Sequence, residues 1–177
     1  RTSNGALLKI VSERLVSMRR EHSAAIRYCV ELLQGQAEIK IESRVRPTAH
    51  SQVLPGQNTN VMDAYSENGA HVYTVQTVTA PFKIAMAFAH RFAGPDFQHE
   101  ENCVPETSIA TFSFHLKKGE KATLEKHACF YTNIETDASR LTQCAETEVL
   151  ENREDGFETL RTEQSDFWAE HWKYGDV

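Results

Sequence analysis

The chain has 177 residues, 40% of them apolar and 25% charged, with a net charge of −6. That length suits one ordinary globular domain with a real core, and the composition is that of a soluble protein. The mild negative charge argues against a nucleic-acid binder, which would carry a basic face, and no run approaches the roughly twenty apolar residues of a membrane span.

The first residues, Arg1-Thr2-Ser3-Asn4-Gly5, are polar, include no initiator Met and lead straight into a strand-like pattern. They read as the start of a piece of something longer rather than as a signal peptide. Strands are predicted at 6–18 and, on clear two-residue alternation, at 25–33 and 37–45. Gln34-Gly35-Gln36 between the last two predicts a hairpin turn. The polar stretches 46–69 and 93–107 carry Pro, Gly, Asn and Asp and read as surface loops. Further strands are predicted at 71–79, 82–92, 108–116 and 121–132, the last two joined by a second hairpin at Lys117-Lys118-Gly119-Glu120.

The period then changes from two to 3.6 residues. Asp137 is placed to cap a helix running to about Asn152, with Ala138, Leu141, Ala145 and Val149 on one face. After Asp155-Gly156 a second helix is predicted from Phe157 to Tyr174. Its stripe consists of Phe157, Leu160, Gln164, Phe167, Trp168, His171 and Trp172. The expected fold is mainly β, an antiparallel sandwich over 1–135, followed by two C-terminal helices over 136–177. The four cysteines, Cys29, Cys103, Cys129 and Cys144, lie far apart, which predicts reduced thiols in a cytoplasmic protein rather than a disulfide framework or a zinc site.

The richest polar cluster is His90-Arg91, Asp96 and His99-Glu100-Glu101. Two histidines nine apart across a Gly-Pro loop form no known ligand spacing, so the segment reads as a solvated loop and no metal is assigned. Tyr65, Tyr73 and Phe82 are open to either a groove or a core reading. Phe167, Trp168 and Trp172 could stack on sugar, but aromatics at helical spacing usually pack.

Gly156-Phe157-x-x-Leu160, Glu163-Gln164 and Trp168-x-x-x-Trp172-x-x-x-Asp176 together resemble the linker region of glycoside hydrolase family 65 enzymes. Leu15-Val16-Ser17, Ile39-x-Ile41-x-Ser43, Phe114-x-Leu116 and Leu124-Glu125-Lys126 are similar, in order, to strands of that family's N-terminal domain. The resemblance implies a galactose-mutarotase-like β-supersandwich lacking its early strands, then helices leading to an (α/α)₆ barrel that lies beyond Val177. It further implies a parent enzyme that cleaves α-glucosidic bonds of disaccharides by phosphate or water, with phosphate the co-substrate of a phosphorylase. The family's catalytic glutamate and phosphate ligands belong to the barrel, so no catalytic residue or cofactor is carried over.

The implied role is a non-catalytic support for the barrel and for a homodimer, with Phe157, Leu160, Phe167, Trp168, Trp172 and Asp176 as interdomain packing residues. An open sheet edge left by the missing strands predicts self-association. The rival readings are a free-standing aldose mutarotase or epimerase, and a carbohydrate-binding module. The first would draw on His115, Glu125 and His127; Glu125 and His127 share a strand face because they are two apart.

Overall fold

The computed structural model describes residues 5–48, 59–173 and 175. Among the described residues nine strands run in chain order: β1 (Leu7–Val16), β2 (Ser23–Gln34), β3 (Gln36–Val45), β4 (Thr59–Glu67), β5 (Ala70–Thr77), β6 (Lys83–Ala93), β7 (Phe97–Val104), β8 (Thr107–Lys117) and β9 (Lys121–Thr132). One helix, α1 (Leu141–Trp172), follows. Every strand pairing is antiparallel. The large sheet has the order β1-β2-β9-β6-β5-β4 and the small one β3-β8-β7. The mainly β sandwich class is as the alternation implies.

Both predicted hairpins are corners instead. β2 and β3 do not pair, nor do β8 and β9; each two-strand unit steps from one sheet to the other. Gly35 and Gly119 have φ of 85° and 87°, and this left-handed backbone turns the chain across the gap. The corners lie side by side: Gly119 N donates to Leu32 O (2.7 Å) and Leu32 N to Glu120 O (3.0 Å).

Two segments expected as loops hold strands. β4 ends in Asn68-Gly69, with φ of 53° and 77°, a two-residue turn of the kind that favours hairpins, and it pairs with β5. β7 is an edge strand whose Phe97–Asn102 are exposed, so its sequence never alternates. Edge strands tolerate such polar runs because neither face is fully buried.

The large sheet packs on both faces. Toward the small sheet it packs Leu32, Phe92 and Leu124 against Phe112, Phe114 and Leu116. Toward α1 it offers Ala70, Ala85, Ala87 and Ala89, all fully buried, a shallow floor on which Leu141, Ala145 and Val149 rest. The two expected helices form one element broken at Gly156 (φ 78°, ψ 167°), which has no helical geometry. Its first turn starts later than expected: Asp137 Oδ1 accepts from Ser139 N (2.8 Å) and Ser139 Oγ (2.7 Å) and so closes a preceding turn, leaving Ala138 exposed. Among the described residues no helix is long and apolar enough to cross a membrane.

Candidate functional site

The residues that a mutarotase would need are separated. His115 sits on the exposed outer face of β8 in the small sheet, whereas Glu125 and His127 lie on β9 in the large sheet, beneath α1. Glu125 Oε2 and His127 Nε2 are 3.5 Å apart, so the shared strand face does bring them together. Yet Glu125 Oε2 also accepts from Phe157 N (3.1 Å), capping the helical segment that restarts after Gly156. His127 has no exposed surface, and burial lowers its pKa against the opposing pull of Glu125. Arg91, opposite Glu125 on β6, donates from Nη1 to Glu154 O at 3.3 Å. A carboxylate capping a helix beside a buried neutral imidazole is fitted to hold the helix, and no sugar reaches that imidazole as the helix lies.

The cluster expected in a solvated loop is placed on strands β6 and β7, partly between the sheets, with only Asp96 in the bend that joins them. His90 on β6 has its Nε2 2.8 Å from Ser43 Oγ and a tilted contact with Phe112 at 5.6 Å. Burial first, then Lys126 and neighbouring histidines, push its pKa down to about 3. His99 stacks on Phe112 (4.4 Å) and pairs with Glu101 Oε1 at 3.1 Å. His71, which sequence patterning did not single out, completes the group: it meets Ser108 Oγ through Nδ1 and lies 3.2 Å from Glu101 Oε2. Among the described residues no three His, Cys, Asp or Glu side chains are arranged to hold a metal ion. Tyr73 is a core residue, fully buried with its hydroxyl on Val104 O (3.1 Å), whereas Phe82 is 45% exposed.

The strongest polar construction joins α1 to the β1–β2 turn. Arg20 donates from Nε and Nη2 to the two carboxylate oxygens of Glu163 (2.8 and 2.6 Å), and from Nη1 to Asn152 Oδ1 (2.6 Å) and Asp155 Oδ2 (2.7 Å). Such a fork is the geometry in which arginine binds carboxylate best. Beneath it, the fully buried Asn152 donates to Ser23 Oγ (2.7 Å) and Cys129 Sγ (3.2 Å). Gln164 Oε1 accepts from Met18 N at 2.7 Å. One guanidinium thus clamps both sides of the Gly156 break. Glu163 and Gln164 belong to the motif read from the sequence, but only folding brings Arg20 to the first and Met18 to the second.

The aromatic stripe divides. Phe157 and Leu160 are buried in the sandwich against Ala25 and Leu15. Phe167 and Trp168 are half-buried and Trp172 is 57% exposed. Beyond Gln164 the rings contact one another: Phe167 on His171 (6.3 Å), Trp168 on Trp172 (6.0 Å) and Trp168 edge-on to Phe167 (5.6 Å). Asp176 lies outside the described residues.

Residues 1–171 match the sequence profile of the glycosyl hydrolase family 65 N-terminal domain. The chain belongs to that family. It is similar to an α,α-trehalose phosphorylase of Thermoanaerobacter brockii, 26% identical over 185 residues covering 98% of this chain and 24% of the relative. A 1,2-α-glucosylglycerol phosphorylase of Bacillus selenitireducens is 23% identical over 97% of this chain and 22% of its own length. The fold is that of a protein from the human microbiome assigned as a kojibiose phosphorylase, with a TM-score of 0.75 at 18% identity over 94% of this chain and 22% of that one. The family 65 domain described here therefore spans about a quarter of the length of the curated relatives it matches.

Proposed function

We propose that this family 65 domain is the non-catalytic N-terminal part of a cytoplasmic enzyme that cleaves α-glucosidic bonds of disaccharides, with phosphate as co-substrate. Its work is mechanical: to support the catalytic barrel and the homodimer. The observation that carries the reading is the aromatic end of α1. Phe167, Trp168, His171 and Trp172 contact one another on a helix that has run past its own sandwich, and Trp172 leaves 57% of its surface exposed. Large rings stabilise a protein only when covered, so a second body is the natural cover. The names of the relatives, both phosphorylases, favour phosphate over water as the nucleophile. In such a reaction the nucleophile attacks the anomeric carbon while a carboxylic acid of the barrel protonates the leaving oxygen.

The test is the Trp168→Ser, Trp172→Ser double variant in the full chain, followed by calorimetry and by the phosphate-dependent formation of a sugar 1-phosphate. A single cooperative transition should split into two, and turnover should drop. Unchanged melting and unchanged turnover would reject the supporting role. The rival mutarotase reading predicts that the chain accelerates the anomerisation of glucose and that His127→Ala abolishes this. The buried position of His127 and the helix cap made by Glu125 argue against it.

A further inference from the structure

The small sheet covers only part of the large one, and where it ends a cleft opens between β2 and β3, with a volume of about 430 Å³. Its walls are Ile26, Tyr28, Ile41 and Leu124, and Lys126 reaches into it from β9. On the adjacent strands Lys126 is flanked by Ile26 and His90, neither of which carries negative charge. Its ammonium contacts the carbonyl oxygen of Arg44 at 3.3 Å and lies 5.3 Å from the Phe88 ring. Among the described residues no carboxylate pairs with it. Lys40 and Arg44 add positive charge at the mouth, and the single carboxylate there, Glu42, already pairs with Arg44 at 2.7 Å.

A half-buried cation without a counter-charge, in a concave apolar site, is the arrangement by which small ligands with one charged head are held. We propose that this cleft binds small organic anions, with Lys126 holding a phosphate or carboxylate head and Ile26, Tyr28, Ile41 and Leu124 covering a ring or other apolar body. The site is independent of the aromatic end of α1 and of the supporting role argued above. Burial alone lowers the Lys126 pKa to about 8, so at pH 7.5 roughly a quarter of the amine is neutral and able to add to a carbonyl.

Pyridoxal 5′-phosphate is a suitable probe of the full chain. The Lys126 amine adds to its aldehyde and water leaves as the imine forms; borohydride then delivers hydride to the imine carbon and fixes a secondary amine. Peptide mapping should show Lys126 labelled about tenfold faster than the exposed Lys117 or Lys121. Phenyl phosphate should slow that labelling about tenfold and inorganic phosphate far less, because only the former fills the apolar walls. Benzoate against phenyl phosphate tells a carboxylate-preferring site from a phosphate-preferring one. Ile41→Ser, on the wall, should weaken the protection by phenyl phosphate while leaving Lys126 in place and adding no charge beside it. Uniform labelling of the lysines, or labelling that neither phenyl phosphate nor benzoate slows, would overturn the proposal.

Discussion

The two ends of α1 make a controlled comparison. From Leu141 to Leu160 the helix buries Leu141, Ala145, Val149, Phe157 and Leu160 against the large sheet; from Arg161 to Trp172 it carries Phe167, Trp168, His171 and Trp172 and leaves Trp172 57% exposed. Both stretches are helical and both follow a 3.6-residue stripe. The difference lies in what sits underneath. Periodicity reports which face of a helix is apolar, whereas stability follows from the area actually removed from water.

Phe157→Ala sharpens the contrast most. The ring is 1% exposed, packs with Leu160 and Ala25, and lies 4.6 Å from the Arg27 guanidinium. A loss of about 4 kcal/mol is expected in urea unfolding of the domain, from lost transfer energy plus the cavity left behind. Were Phe157→Ala no worse than Phe167→Ala, the claimed asymmetry along the helix would be wrong.

The break between the halves comes next. Gly156 has φ 78° and ψ 167°, a region essentially reserved for glycine, and a Cβ there would meet the Arg91 guanidinium. Gly156→Ala should cost about 2 kcal/mol, seen as a lower midpoint at unchanged m-value. A variant as stable as the parent would mean that the helix can straighten without losing the Arg20 clamp.

A pH titration compares the helix-covered face with the interior between the sheets. His90 is held near a pKa of 3, well below the 6.5 of an unfolded histidine. The unfolded chain therefore takes up a proton below pH 6.5 that the folded one refuses, and stability falls as pH drops from 6.5 toward 3. The slope is about 1.4 kcal/mol per pH unit, so roughly 2 kcal/mol is lost by pH 5. His90→Gln should flatten this limb in acid unfolding followed by tryptophan fluorescence. An unaltered slope would assign the acid lability to His127 under α1, whose pKa is lowered in the same direction.

Much of this was legible in the chain. Ile26, Tyr28, Val30 and Leu32 alternate cleanly because they share the face of β2 turned toward the small sheet, and Gly156 punctuates α1 because only glycine suits that backbone. Gly35 and Gly119 announced turns but not their kind: a corner between sheets and a hairpin within one ask the same of a glycine. β4 and β7 escaped notice as edge strands with little to bury, although Asn68-Gly69 was a usable hairpin signal. For the candidate site, spacing correctly placed Glu125 and His127 on one face. It could not reveal that α1 lies over them, or that Arg20 meets Glu163 across 143 residues. Such contacts depend on the path of the chain, which no local pattern encodes.

The smallest expected effect is the most discriminating. Trp172→Ala removes the largest kind of side chain, yet 57% of this one is in water and its ring neighbours are the half-buried Trp168 and the exposed His171. Within the domain alone the loss should stay below about 0.5 kcal/mol, as at an ordinary surface position. In the full chain the same substitution should cost several times more, because a ring covered by a second body loses a buried contact instead of a wet one. Equal effects in the two settings would mean that nothing covers Trp172, and the outer half of α1 would then be a solvent-exposed spacer.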